Sequence, residues 1–191
     1  MRRILSIVMI FLAVPLMAAE VGDDGLHKQP WIRSTFKDLA EDLAEAGAEG
    51  KRMVVMVEQR GCIYCTKMHE EVFSRPHVAD YIAQNFFVIQ VNLHGDTEVI
   101  DFDGETLSEK QAARKWGLLF TPSILFLPED VEAGQNAKQA AVAIMPGAFG
   151  AGTTMDMFTW VKEKRYELDS DEDFQRYHAR RIRERDNGST D

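Results

Sequence analysis

A chain of 191 residues is long enough for one well-buried domain with additions and short for two domains. Its 31 acidic and 22 basic residues give a net charge of −9, which argues against a nucleic-acid partner because nucleic-acid binding needs a basic face. Hydrophobic residues at 45% and charged residues at 28% are ordinary for a soluble globular protein.

The first 19 residues predict a secretory signal peptide and therefore a periplasmic protein. Arg2 and Arg3 precede an uncharged apolar stretch over 4–16, and small residues follow it. This stretch is too short for a comfortable transmembrane helix. The cleavage point is poorly defined, so an uncleaved N-terminal anchor is the alternative. Cleavage would leave 20 basic and 31 acidic residues, a net charge of −11.

The next elements predict a parallel βαβ unit. A polar stretch over 20–30 reads as a flexible leader, and helical spacing of apolar residues predicts a helix over 34–49. The uninterrupted apolar run 53–57 is typical of a strand covered on both faces. A helix up to residue 73 and a second buried strand over 86–91 follow within forty residues, which is the spacing of a βαβ unit.

The second half of the chain predicts a hairpin, two further strands and closing helices. Asp103-Gly104 marks the turn of the hairpin, and a charged segment near the C-terminus predicts a docked helix, with a disordered tail as the alternative. The predicted elements are hairpin strands over 98–102 and 105–107, a helix over 108–116, strands over 123–127 and 141–145, a helix over 154–166 and the helical tail within 169–191.

Cys62 and Cys65, the only cysteines of the chain, predict a thiol–disulfide redox site. They stand three residues apart, directly after the 53–57 strand, where a helix should begin. Residues at this spacing share a helix face and lie close enough to form a bridge. The N–H groups and the macrodipole at a helix N-terminus stabilise a thiolate, so we expect Cys62 to attack and Cys65 to resolve the mixed disulfide. A purely structural disulfide is less favoured, because so small a loop stabilises a fold little.

The order of these elements resembles the thioredoxin fold over roughly 31–166. Cys62 and Cys65 match the redox pair of that family, and Pro122, immediately before a strand, matches its cis-proline, which faces the disulfide. The resemblance implies that the chain beside this proline pairs with substrate backbone, so Tyr64, Thr121 and Pro122 are expected to line a substrate groove. The alternative is that Pro122 only marks the start of a strand and has no role at the redox site.

The resemblance implies an α/β fold with a central mixed four-stranded sheet flanked by helices. It also implies an N-terminal helix, an insertion before the cis-proline loop and a C-terminal helical tail. The expected divisions are a signal peptide over 1–19, a leader over 20–30, a thioredoxin-like domain over 31–168 and a charged helix or tail over 169–191.

Segments 50–73, 85–117 and 120–130 look like the periplasmic SoxW-type thioredoxins associated with bacterial sulfur oxidation. This closer resemblance implies a reductant of extracytoplasmic protein disulfides. It also implies a membrane thiol transporter of the CcdA/SoxV kind as the electron donor. A monomer without a resident cofactor or metal is expected.

Three positions depart from the thioredoxin pattern. The family has tryptophan before the cysteines and Gly-Pro between them, whereas this chain has Gly61 and Ile63-Tyr64. The buried acid of thioredoxins would fall at Met56, which cannot ionise. Glu58, two residues later, is a possible proton acceptor if it points beneath Cys65; an exposed glutamate at the strand end is the alternative.

A metal-handling module is the rival function. His69 follows Cys65 by four residues, so Cys62, Cys65 and His69 could share a helix face and hold copper or zinc. Three ligands crowded on one helix make a poor closed site, and a hydrogen-bonded or exposed histidine is the simpler interpretation.

Overall fold

The computed structural model describes residues 20–168 and 172–188. The predicted signal peptide lies outside these residues, as do Ser170 and Asp171 at the start of the predicted tail helix. The strands are β1 Glu20–Val21, β2 His27–Lys28, β3 Ile32–Arg33, β4 Arg52–Glu58, β5 Phe86–Asn92, β6 Glu98–Ile100, β7 Thr106–Ser108, β8 Ser123–Phe126 and β9 Ala143–Pro146.

A five-stranded mixed sheet in the order β3-β5-β4-β8-β9 forms the centre of the molecule. Strands β3, β5 and β4 run parallel to one another, and β8 and β9 are antiparallel to their neighbours. All seven residues of β4 are buried, as expected for an apolar strand covered on both faces. The four predicted strands are present. Strand β3 adds a fifth at the edge, which the sequence does not predict because two residues are too few to show a periodicity.

Helices cover both faces of the sheet. The helices are α1 Leu39–Ala48, α2 Ile63–Met68, α3 Pro76–Asn85, α4 Glu109–Lys115, α5 Ala137–Ala140, α6 Ala151–Lys162 and α7 Phe174–Gly188, with a π-helical turn over His69–Phe73 and a 3-10 turn over Arg165–Glu167. Side chains alternate along β4, so Val54 and Met56 face one core while Met53 and Val55 face the other. Helices α2, α3, α6 and α7 pack on the first face, and α1, α4 and α5 on the second.

Helix α1 begins five residues later than the hydrophobic spacing predicts. Asp38 caps the helix, because its side chain accepts hydrogen bonds from the N–H groups of Ala40 and Glu41 at 3.1 and 3.2 Å. Phe36, which completes the helical pattern in the sequence, therefore lies outside the helix and is 94% exposed. The local cap decides this boundary against the apolar spacing.

The insertion before β8 and the C-terminal segment follow the predicted secondary structure. Strands β6 and β7 pair antiparallel, with Gly104 at φ +82° in the turn between them. Helix α7 docks on the first face of the sheet through Tyr177, which is buried. Within residues 20–168 and 172–188, no helix is long and apolar enough to cross a bilayer.

The segment expected to be a flexible leader is packed against the domain. Strands β1 and β2 pair as an antiparallel hairpin, and Leu26 and His27 are buried. The Arg60 guanidinium donates a hydrogen bond to the carbonyl of Asp23 at 2.7 Å. The polar, glycine-containing composition predicts a flexible segment here. In the structure, contacts with residues far along the sequence, such as Arg60, hold this segment against the domain.

Candidate redox site

Cys62 and Cys65 form a disulfide at the start of α2, with their Cα atoms 5.2 Å apart. Cys62 is the N-cap residue of the helix, and its Sγ accepts a hydrogen bond from the backbone N–H of Cys65 at 3.0 Å. A side chain at this position takes up one of the N–H groups that a helix leaves unpaired. When the bridge is reduced, a thiolate at Cys62 would meet that N–H and the positive end of the helix dipole.

The loop before β8 lies beside the same sulfur. The Thr121 hydroxyl donates a hydrogen bond to Cys62 Sγ at 3.3 Å, and the Thr121–Pro122 peptide bond is cis. Pro122 is buried, and its carbonyl accepts a hydrogen bond from the N–H of Gly147 at 2.7 Å. The fold therefore brings together the cysteines and the Thr-Pro pair, which are nearly sixty residues apart.

Apolar side chains are exposed around the disulfide. Cys62 is nearly buried and Cys65 fully buried, but Ile63 and Tyr64 between them are 74% and 58% exposed. Leu119 and Phe120, directly before Thr121, are exposed as well. A pocket of about 230 Å³ adjoins Tyr64 and is lined in addition by Lys67, Met68, Glu71, Val72, Ala148, Phe149 and Gly150. Exposed apolar groups concentrated in one place mark an interaction surface.

Glu58 is buried at the end of β4 and is not an exposed strand-end residue. Its Oε1 lies 2.9 Å from His69 Nε2, and its Oε2 accepts a hydrogen bond from Gln90 Nε2 at 2.6 Å. A carboxylate removed from water requires such partners. Met56, the residue at the family's position for a buried acid, is fully buried in the apolar core.

His69 connects Glu58 to the helix that carries the cysteines. It stands one turn after Cys65, and its backbone N–H donates to the Cys65 carbonyl. Its Nδ1 lies 3.2 Å from Gln29 Nε2, so both ring nitrogens have hydrogen-bond partners. His27 of the N-terminal hairpin stacks on the His69 ring with centroids 4.6 Å apart. Burial lowers the pKa of His27, and the neighbouring His69 lowers it further.

The rival metal set of Cys62, Cys65 and His69 is not brought together as a ligand group. Among the described residues, the group of potential ligands with atoms within 4.8 Å is His27, Glu58 and His69, without a cysteine. The two imidazole rings stack with only 14° between their planes. A metal ion bound by a histidine nitrogen lies in the plane of the ring. Because the two rings are nearly parallel and stacked, one ion cannot lie in both planes, so the cluster is a hydrogen-bond network.

Gln29, Gln90 and His27 are the residues of this network that the sequence did not reveal. Gln90 is the single polar residue in the apolar run 86–91, and this position indicates a buried group that needs hydrogen-bond partners. Its carboxamide donates to the carbonyl of His27 and accepts from Lys28 Nζ, which ties the hairpin to the sheet. Gln29 and His27 lie in a polar stretch where no periodicity indicates burial.

The family model for a thioredoxin-like domain matches residues 39–143, more than half of the chain. The chain belongs to the thioredoxin-like family. The thioredoxin fold expected from the sequence is therefore correct, and the cysteine pair of this thioredoxin-like protein forms the CxxC disulfide. No curated protein matches the sequence.

Three solved structures are similar to this chain, and the first of them shares its fold. A thioredoxin-fold protein from Helicobacter pylori is 19% identical with a TM-score of 0.55, over 72% of this chain and 86% of that one. A thioredoxin from Thermus thermophilus is 22% identical with a TM-score of 0.49, over 65% and 83% of the two chains. The C-terminal domain of DsbD from Neisseria meningitidis is 17% identical with a TM-score of 0.42, over 68% and 98%.

Proposed function

We propose that this thioredoxin-like protein is a thiol–disulfide oxidoreductase in which Cys62 attacks and Cys65 resolves. The observation that carries the proposal is the position of Cys62 Sγ, which receives the Cys65 N–H at 3.0 Å and the Thr121 hydroxyl at 3.3 Å. Both donors favour the thiolate form of Cys62, the species that attacks a disulfide. The buried Cys65 has no comparable role in the first attack.

The reaction cycle transfers two electrons from the cysteine pair to a substrate disulfide. The Cys62 thiolate attacks one substrate sulfur, forms a mixed disulfide and releases the other substrate sulfur as a thiolate. Cys65 then loses its proton and attacks Cys62 Sγ, which forms the Cys62–Cys65 bridge and releases the second substrate thiolate. Glu58 is the proposed acceptor of the Cys65 proton, because it is a buried base joined through His69 to the same helix.

The proposed substrate is an extended segment of a protein that contains a disulfide. Tyr64, Thr121 and Pro122 would line the groove that accepts it, and the exposed Leu119 and Phe120 extend the apolar surface on the side of the Thr-Pro loop. Binding an extended chain beside Pro122 would present the substrate sulfur to Cys62.

The proposed setting is the periplasm and the proposed direction is reduction. The setting rests on the signal-like residues 1–19 and the direction on the resemblance to SoxW-type proteins. A membrane thiol transporter of the CcdA/SoxV kind would then return the Cys62–Cys65 bridge to the dithiol. Fusing residues 1–30 to a reporter that is active only after export tests the setting, and an inactive reporter would contradict it.

Insulin reduction tests the activity. We expect the wild type to reduce insulin in the presence of dithiothreitol, and Cys62→Ser to lose the catalysed rate. Cys65→Ser should accumulate a covalent mixed disulfide, because nothing resolves the bond at Cys62. Equal rates for the wild type and Cys62→Ser would overturn the proposal.

The direction is tested by the reduction potential of the cysteine pair against glutathione. A value near that of thioredoxin, roughly −270 mV, supports a reductant, whereas a value near −120 mV indicates an oxidant.

A further inference from the structure

The N-terminal hairpin, residues 20–29 with β1 and β2, contacts residues that precede and follow the cysteine pair in the chain. On one side, Arg60, two residues before Cys62, donates to the Asp23 carbonyl at 2.7 Å. On the other side, Gln29 and His27 contact the ring of His69, one turn after Cys65. The hairpin therefore packs against the segments on either side of the redox pair, although more than thirty positions separate it from Cys62 in the sequence.

The hydrogen bonds at His69 are all satisfied by one arrangement of protons. The Gln29 Nε2 amide has only hydrogens to offer, so the His69 tautomer that fits this contact has Nδ1 as the acceptor. The ring proton then lies on Nε2 and is donated to the Glu58 carboxylate at 2.9 Å. Gln29 in this way occupies the Nδ1 lone pair of His69, which is where a second proton would bind. A carboxylate beside a neutral ring accepts a proton more readily than one beside an imidazolium.

The charged and titratable groups around this pair come from three elements. Glu58 faces His69 from β4, and His27 stacks on it from β2. Lys28 reaches Glu58 only through Gln90, because Lys28 Nζ donates to Gln90 Oε1 and Gln90 Nε2 donates to Glu58. The charge of Glu70, next to His69 in the chain, acts to raise the pKa of His27. Burial lowers the pKa of His27, which disfavours a cation stacked against His69.

Cys65 needs a base within the protein because it is fully buried. In the resolving step its S–H bond breaks, the proton passes to a base, and the sulfur electron pair forms the bond to Cys62 Sγ while the substrate thiolate leaves. Water cannot reach the thiol freely, so the acceptor must lie in the same buried layer. Glu58 and His69 are buried as well, and His69 is one helical turn from Cys65.

We propose that Gln29 is a positioning residue of the redox site, which holds His69 in the neutral form with its proton on Nε2 and so keeps Glu58 able to accept the Cys65 proton. This inference rests on the proposed thiol–disulfide exchange. It makes the N-terminal hairpin part of the catalytic arrangement of this protein.

Two substitutions of opposite chemistry test the proposal. Gln29→Leu removes the donor to Nδ1, so the ring gains a second proton more easily. Gln29→Glu places a carboxylate against Nδ1 and favours the imidazolium more strongly. Both leave Glu58 beside a cation for more of the pH range. The pH at which the resolving step becomes fast should therefore rise in the order wild type, Gln29→Leu, Gln29→Glu. Val21→Ala, an exposed position of the same hairpin, is the matched control.

The measurement is the two-step reaction of the full-length reduced protein with an aromatic disulfide that releases a coloured thiolate. The first release reports attack by Cys62 and the second reports resolution by Cys65. Over about pH 5 to about pH 9, we expect the pH midpoint of the rate of the second step to rise by about one unit in Gln29→Leu and further in Gln29→Glu. At neutral pH, the second step of Gln29→Leu should then be about tenfold slower than that of the wild type. The first step should stay within about twofold in every variant.

The outcomes separate this inference from the proposed function. Equal midpoints in the wild type and both Gln29 variants would overturn the role of Gln29, as would equal shifts in Gln29→Leu, Gln29→Glu and Val21→Ala, which would indicate loosening of the hairpin alone. A wild type without the first release would instead overturn the proposed exchange, and this inference with it.

Discussion

Two buried carboxylates in this molecule each contact a histidine, and their other partners differ. Glu58 Oε1 meets His69 Nε2 at 2.9 Å beside the cysteine pair, whereas Asp156 Oδ2 meets His178 Nδ1 at 2.6 Å where α6 packs on α7. The second oxygen of Glu58 accepts from the neutral amide of Gln90. Asp156 is instead held by both terminal nitrogens of the Arg185 guanidinium, at 2.8 and 3.0 Å.

The arginine decides what the second pair can do. Burial acts to raise the pKa of Asp156, but the hydrogen bonds from Arg185 and His178 outweigh it, and the pKa lies below its ordinary value. Asp156 is thereby held as a carboxylate and ties α7 to the domain. The Glu58 pair has amide partners in place of cations. The charge of the third partner, more than the carboxylate–histidine contact, therefore distinguishes a clamp from a group that can exchange protons.

The sharpest test of this difference is a pair of matched substitutions. Glu58→Gln keeps the size of the side chain and removes the base, so we expect resolution by Cys65 to slow about 100-fold at pH 7. Attack by Cys62 should remain within about threefold, because its donors are unchanged. Asp156→Asn should leave both steps unaffected. Similar slowing in the two variants, measured by the same two-step thiolate release, would remove the distinction between the pairs.

The next effect concerns stability. Asp156→Asn replaces the charged acceptor of Arg185 and His178 and should lower the free energy of unfolding by about 2 kcal/mol. For a domain of this size, that corresponds to a fall of about 6 °C in Tm. Differential scanning calorimetry gives the value, and Arg183→Ala on α7, which lies at an exposed position, serves as the control. A Tm for Asp156→Asn equal to that of the control would show that the clamp contributes nothing.

The smallest effect comes from a third buried carboxylate, Asp42, which lacks both histidine and arginine. Burial raises its pKa to about 6, helped by the nearby acids Glu45, Asp38 and Glu41 and opposed by the hydrogen bond from Thr35. The folded protein therefore binds the Asp42 proton more tightly than the unfolded chain, so this contribution to stability is complete below pH 3.8 and is lost as the pH rises through about 6.

Asp42→Asn should flatten that part of the stability profile and stabilise the protein at pH 7. The contribution of Asp156 has the opposite sign, because a lowered pKa gives stability above the ordinary value of 3.8 that is lost on acidification below it. Urea unfolding of the wild type and of Asp42→Asn at several pH values measures the contribution of Asp42. A profile unchanged between pH 4 and pH 6 by Asp42→Asn would contradict the assignment.

Several features of the redox site were predictable from local chemistry. The apolar run of β4 and the spacing of Cys62 and Cys65 predicted a buried strand followed by a helix that begins at the first sulfur, and both are present. That Thr121 and Pro122 face the cysteine pair is predicted by the resemblance alone, and the 3.3 Å contact of Thr121 with Cys62 Sγ follows from the fold.

The sequence by itself determined strands β4, β5, β8 and β9, the helix N-terminus at Cys62 and the apolar pattern that builds two cores, because these depend on residues close together in the chain. Only the tertiary structure decided that Glu58 is buried, that His69 turns to it, and that Gln29 reaches His69 across forty residues. A polar side chain is buried where other parts of the chain supply its hydrogen bonds, and no local pattern encodes those partners.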